Sequence, residues 1–389
     1  VLILTPPLVV QQVIDEAKSF YGEHMPIRAL KANQLAEWIS GEGDEIGVTN
    51  YEALKDSTPQ GNLTCLILDE SSILKSHYGK YGGICIRLGK GLRWKLCLTG
   101  TPAPNDRIEY ANHAVYLDRF PTINSFLAKY FINRGQTDNR WELKPHALKP
   151  FYRSLSDWCI FLTNPETYGW KDNVHSVPPI ITHVHEVELT KQQREWMVKE
   201  TGSMVATRSG GVTKRSSYGQ VAKGWYKKQW FDTNKPSVIK ALVDSWKDTE
   251  STLVWCKYDK EQTLAEEALH DHMESMDGST PWNVRGEMIR RFKAKETATL
   301  ISKPALLGFG LNLQVATRQV FSALEDSYEK YWQCIKRSNR IKSVHPLNVH
   351  IPVTELEYPM VENVLRKKDR VDADTKEQEQ IFLESSRKD

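Results

Sequence analysis

Short apolar runs rich in β-branched residues recur along this chain, separated by longer amphipathic or mixed stretches. The runs at 1–4, 45–49, 65–68, 95–98 and 160–163 form one cluster of predicted strands. Those at 252–256, 299–302, 319–322 and 349–353 form a second. Between them, 9–20, 262–273 and 328–340 carry apolar residues at helical spacing. Strands alternating with helices predict an α/β fold with parallel sheets, and two clusters predict two lobes. The pattern divides the chain into a first lobe at 1–195, a basic and aromatic connecting segment at 196–234, and a second lobe at 235–389. The stretch after Glu355, with Arg366-Lys367-Lys368, reads as a charged helix with a solvated face.

Composition narrows the class. The 389 residues are 40% hydrophobic and 26% charged, with 52 basic against 49 acidic side chains. That balance excludes a disordered, collagenous or coiled-coil protein. No run of 18 apolar residues is present to span a membrane. The six cysteines stand singly with no C-x-x-C pair, so they read as buried free thiols, not a zinc ribbon or a disulfide framework. His183 and His185 fall on one face of a predicted strand; with no third ligand nearby they read as a solvated face and not a metal site. Charge is locally uneven. Residues 203–235 hold seven basic side chains and one acid, Asp232, interleaved with Tyr218, Trp225, Tyr226, Trp230 and Phe231. Cations there suit phosphates and the rings suit stacking on bases. A connector whose aromatics pack on a lobe is equally open.

Three constellations carry chemistry. In Cys65-Leu66-Ile67-Leu68-Asp69-Glu70-Ser71-Ser72, an apolar strand ends in adjacent carboxylates, at the edge where α/β sheets place ligands. One acid there can hold Mg²⁺ through water while the other orients or deprotonates the water that attacks a γ-phosphate. Acids at a strand end also occur without any such role. In Leu96-Cys97-Leu98-Thr99-Gly100-Thr101-Pro102 a second strand ends in hydroxyls around a glycine, which also fits a capped turn. Gln333, Arg337 and Arg340 are spaced i, i+4, i+7, so on a helix one amide and two guanidinium groups share a face. Two such forks suit a triphosphate; an exposed basic face is the plain alternative.

In this order the three resemble superfamily-two helicases of the Swi/Snf-like, DNA-dependent ATPase type, and further segments extend the likeness nearly end to end. Leu2-Ile3-Leu4-Thr5-Pro6 with Gln11-Gln12 is similar to motif Ia, and Val48-Thr49-Asn50-Tyr51-Glu52 to motif Ib. Asp69-Glu70-Ser71-Ser72 resembles the DExx box, and Leu98-Thr99-Gly100-Thr101-Pro102 motif III in its Swi/Snf form. Leu253-Val254-Trp255-Cys256 with Glu261 is similar to motif IV. Asp277-Gly278-Ser279-Thr280 with Arg285 and Phe292 resembles a segment used at the DNA backbone. Ser302-Lys303-Pro304 with Gly308-Phe309-Gly310-Leu311-Asn312-Leu313-Gln314 is similar to motif V, and Gln333, Arg337 and Arg340 match motif VI. The likeness is greatest to helicase-like proteins of bacteriophages and prophages, which implies a cytoplasmic protein of a bacterial or phage-infected cell.

The resemblance implies two RecA-like lobes, ATP and Mg²⁺ as cofactors, and DNA, read through its backbone, as partner. Asp69 would hold Mg²⁺ through water and Glu70 would activate the attacking water. Arg337 and Arg340 would act as arginine fingers beside Gln333, a device worth about 10³–10⁵ in rate. Thr99, Gly100 and Thr101 would couple the phosphate site to the lobe; Gly308, Gly310 and Asn312 belong to motif V. Thr5, Thr49, Asp277, Gly278, Ser302 and Lys303 would line the DNA track, with Asp277 shaping its turn while backbone N–H groups meet phosphate.

Two departures qualify this. No G-x-x-x-x-G-K-[ST] phosphate loop occurs in the chain. In the family it precedes motif Ia, where this chain begins, so truncation upstream is expected and the 389 residues alone should bind ATP poorly. Arg340-Ile341-Lys342-Ser343 also stands where relatives continue Ile-Gly-Gln. A DExH-type RNA helicase and a non-catalytic nucleic-acid-binding module remain as alternatives.

Overall fold

Two all-parallel sheets account for eleven of the strands, as the alternating pattern requires. A computed structural model describes residues 1–76, 79–100, 102–103, 106–135, 141–161, 177–202, 212–270, 273–307, 311–322, 324, 327–340 and 343–386. The chain divides into one unit of Val1–Lys171 with Arg370–Asp389, and a second of Asp172–Asp369.

In the first unit, β1 (Leu2–Thr5), β2 (Ile27–Ala29), β3 (Ile46–Asn50), β4 (Cys65–Asp69) and β5 (Trp94–Leu98) form a sheet in the order β2-β3-β1-β4-β5. A small antiparallel pair, β6 (Phe131–Asn133) and β7 (Trp141–Leu143), stands apart. Leu2, Leu4, Leu66 and Leu68 of the central strands are fully buried. Helices on a parallel sheet exclude water, so its inner strands read as continuous apolar runs. A second core gathers Tyr110, Phe126, Tyr130 and Phe151, with Ile381 of the C-terminal helix packed among them.

The second unit holds β8 (Ile180–Glu186), the short hairpin β9 (Trp225–Tyr226) and β10 (Gln229–Trp230), then β11 (Ser251–Trp255), β12 (Met273–Ser275), β13 (Thr299–Ser302), β14 (Ala316–Phe321) and β15 (Leu347–Val353). Its six-stranded sheet runs β12-β13-β11-β14-β15-β8. The second unit therefore begins upstream of residue 195, and its edge strand β8 pairs in parallel with β15 along seven residues.

Several expectations need correction. Ile160 and Phe161 form no strand, and 162–163 lie outside the described residues. The helix expected to reach residue 273 ends at Leu269, because Met273–Ser275 is pulled into the sheet beside β13. The charged tail is a helix, Tyr358–Ser386, but Val361, Val364 and Ile381 are buried, so a stripe of it belongs to the cores. His183 and His185 do not face water alone: their rings stack on His350 of β15 at 4.6 and 5.2 Å. The cysteines are free, three of them buried and three half-buried. Among the described residues no helix is long and apolar enough to cross a membrane.

One polar cluster lies deep in the second unit. Lys223 and Lys235 both contact the Glu357 carboxylate, at 3.2 and 2.7 Å, and all three side chains are buried. Lys235 also donates to the Ser322 carbonyl just past β14, and Thr354 donates to Glu357 through its N–H and its hydroxyl. Burial alone would raise the Glu357 pKa, but Lys235 and Lys223 outweigh it and hold the carboxyl below its ordinary value.

Candidate functional site

In the first sheet the chain runs from β1 to β2 and β3 on one side, then returns to β4 and β5 on the other. The order reverses between β1 and β4, and α/β sheets bind ligands beyond the carboxyl ends of such a pair. Thr5 and Asp69 occupy those two ends. The Thr5 hydroxyl donates to Asp69 Oδ2 at 2.8 Å, and the Tyr51 hydroxyl donates to the Asp69 carbonyl at 2.8 Å. Segments Ia, Ib and II therefore meet at one aspartate. Glu70 follows in the left-handed region, φ 51° and ψ 49°. That conformation costs an L-residue about 1–2 kcal/mol, and such strain persists where the surroundings over-determine it. Leu98 pairs with Asp69 across β4 and β5, so Thr99 and Gly100 leave the sheet beside the acidic pair. Thr101 lies outside the described residues.

A helix that sequence reasoning passed over, Tyr110–Tyr116, braces this corner. Asn112 donates to the carbonyls of Leu74 and Ser76, and Tyr116 to that of Leu66, each at 2.7 Å. Buried His113 lies 3.3 Å from the Glu109 carbonyl through Nδ1 and 3.1 Å from the Ser71 hydroxyl through Nε2. A carbonyl can only accept, so a neutral ring carries its proton on Nδ1 and Ser71 donates to Nε2. Burial pushes the His113 pKa down to about 4. The unfolded chain takes that proton near the ordinary value, so between pH 6.5 and 4 it binds more protons than the folded one, and stability falls as pH drops through that window. A shift of that size is worth about 3 kcal/mol. His113→Gln, which cannot titrate, should flatten the pH dependence of urea unfolding between 7 and 4; an unchanged slope would sink the assignment. His350, held to about 4 by burial and by His183, His185 and Arg318, leaves a residual slope in the second unit.

The second unit carries the remaining motifs. The helix Tyr328–Ser338 buries Tyr328, Tyr331, Cys334 and Ile335 and sets Gln333 and Arg337 one turn apart. Arg337 is buried; its Nε donates to the Gln333 carbonyl at 2.9 Å and its Nη1 to the Leu311 carbonyl at 3.3 Å. In this arrangement it ties motif VI to motif V instead of presenting its fork. The helix also stops two residues short of Arg340, so helical spacing does not aim that side chain. The Asn312 side-chain oxygen Oδ1 accepts from the Gln314 backbone N–H; Gly308 and Gly310 lie outside the described residues.

The residues expected on the DNA track differ in exposure and in partners. Thr5, Thr49 and Ser302 are buried, and their hydroxyls donate to Asp69, the Leu30 carbonyl and the Met276 carbonyl. Small hydroxyls at the ends of buried strands bond inward because leaving them unpaired is costly. Lys303 is paired with Asp259. Asp277 does shape its turn: Oδ1 accepts from the N–H and hydroxyl of both Ser279 and Thr280. Its own N–H bonds Thr280, so three of the four turn amides are engaged internally, and Gly278 sits exposed at the tip.

These features define an α/β chain of two parallel-sheet lobes with a DExx corner on the first. Residues 2–234 match the SNF2-related domain family and residues 234–342 the helicase conserved C-terminal domain. The chain belongs to the SNF2-related family. It is 24% identical over 332 residues to the DNA annealing helicase and endonuclease ZRANB3 of Bos taurus, and 23% identical over 327 residues to that of Mus musculus. Each match covers 78% of this chain but 29% of the relative, so the chain spans well under half of those proteins. Among solved structures, the C-terminal part of the Fun30 ATPase domain superposes with a TM-score of 0.36 at 14% identity, over 53% of this chain and 97% of that one.

Proposed function

We propose that the full-length gene product is an ATP- and Mg²⁺-dependent motor of the Swi/Snf type that moves along DNA. The observation that carries this reading is the corner where Thr5 and Tyr51 both bond Asp69 and where Glu70 is held in a left-handed conformation beside it. The residues fit Mg²⁺ bound with a nucleotide. Mg²⁺ typically takes one or two carboxylates and draws its other oxygens from water and phosphate, which Asp69 at a sheet edge can satisfy. Among the described residues no cluster of three or more His, Cys, Asp or Glu offers a protein-only cage. Bound with ATP, the ion would neutralise charge on the phosphates. Asp69 would orient its water shell, while Thr5 keeps that carboxylate aimed. Glu70 would accept the proton of the attacking water. Gln333, Arg337 and Arg340 are assigned to the phosphates, Arg337 after release from the Leu311 carbonyl. Thr99 and Gly100 would pass the state of the site into β5. The relatives named as DNA annealing helicases support DNA as the track.

The test is phosphate release by the full-length gene product with and without duplex DNA. Stimulation by DNA is expected; stimulation by RNA alone, or no release under any condition, overturns the reading.

A further inference from the structure

The strands β9 and β10 form a hairpin whose two-residue turn is Lys227-Lys228, with Tyr226 opposite Gln229 and Trp225 opposite Trp230. Both lysines take positive φ, 45° and 66°. That conformation is usually supplied by Asn-Gly, which adopts it with little strain. Folding alone would not choose two lysines there, yet they place two cations at the tip.

The hairpin's two faces differ in kind. Tyr226 and Phe231 join the core of Leu189, Met197, Tyr218 and Val221, and this anchors the ribbon. On the opposite face Trp225 and Trp230 meet edge to face, centroids 5.2 Å apart, and Trp230 remains 46% exposed. Lys260 lies 5.7 Å from the Trp225 ring and 5.0 Å from that of Trp230, and Lys257 lies 4.9 Å from Tyr258 next to it. Among the described residues none of Lys227, Lys228, Lys257 or Lys260 has a carboxylate partner within 4 Å. Indole surface with Lys260 over both rings, and with Lys227 and Lys228 at the adjoining turn, is complementary to a polymer of alternating flat apolar rings and anions.

We propose that this hairpin is a binding site for single-stranded DNA, with a base stacked on Trp230 and neighbouring phosphates on Lys227, Lys228 and Lys260. A duplex keeps its bases stacked within, where a surface indole does not reach them, whereas a single strand offers them. The site is separate from the Asp69–Glu70 corner and needs no nucleotide. It rests on the reading of the protein as DNA-acting.

The test is fluorescence anisotropy of a labelled oligothymidine with the full-length gene product, without ATP, at several salt concentrations. Trp230→Ala should weaken binding about tenfold, and Trp230→Phe should restore most of it. Lys227→Glu with Lys228→Glu should reduce the slope of log affinity against log salt by about 1.4, or 0.7 for each lost phosphate contact. On an abasic oligonucleotide Trp230→Ala should make no difference. Binding within twofold of wild type for both variants overturns the proposal, as does an equal loss on the abasic strand or a larger loss on blunt duplex. A wild-type protein that binds no DNA at all defeats the proposed function as well, so the two failures are distinguishable.

Discussion

Glu70→Gln in the full-length gene product is expected to lower DNA-stimulated phosphate release by about 10²–10⁴ while leaving nucleotide binding near wild type. That range is what a positioned general base contributes, and glutamine keeps the size and hydrogen-bonding reach of glutamate without its basicity. The backbone allows a sharper form of the same experiment. Glu70 sits at φ 51°, where glycine is comfortable and any side chain carries strain. Glu70→Gly should therefore lose activity as fully as Glu70→Gln yet raise the thermal midpoint. Activity and stability moving in opposite directions would mark the strain as kept for chemistry. Two inactive variants of equal stability, or an active Glu70→Gln, would remove the assignment.

Glu357→Ala should destabilise the second unit by about 3–5 kcal/mol, the cost of removing one partner from a buried ionic group. Lys223 and Lys235 would be left with uncompensated charge where water does not reach. The remedy is as diagnostic as the damage. Adding Lys235→Met to Glu357→Ala takes away one stranded cation and should recover part of the loss. Simple loss of contacts would make the double variant worse. Urea unfolding of the single and double variants separates these, and a Glu357→Ala midpoint close to wild type would show the cluster to be solvated.

Much of the fold was legible because parallel strands carry their signal locally. Unbroken runs such as Leu66-Ile67-Leu68 and Leu253-Val254-Trp255 read as strands, and both are. The acidic pair was legible for the same reason, since the carboxylates sit where the run ends. What escaped was everything set by partners distant in sequence. Thr5 read only as a DNA-track residue, and nothing local shows that its partner is Asp69, 64 residues away. Tyr51 stood inside a quoted motif with no role, and nothing local to Asn112, His113 or Tyr116 announces that their partners are the carbonyls and hydroxyl around the DExx corner. Arg340 was misplaced by extending a helical period past Asn339, whose side chain bonds the Pro178 carbonyl and leaves the helix there. The interleaved aromatics divide between the two faces: Tyr218 and Phe231 pack inward, Trp230 faces out.

The edge strand β8 has a consequence measured in time. Its histidines meet residues of β15 that lie 165 positions later, and at a synthesis rate of about 5–20 residues per second that separation is roughly 8–33 s. For that interval β8 stands emerged from the ribosome without the neighbour it will pair with. Its composition suits the wait. Ile181 and Val184 are flanked by Thr182, His183, His185 and Glu186, so the strand stays hydrated until Leu347–Val353 arrives to close the sheet.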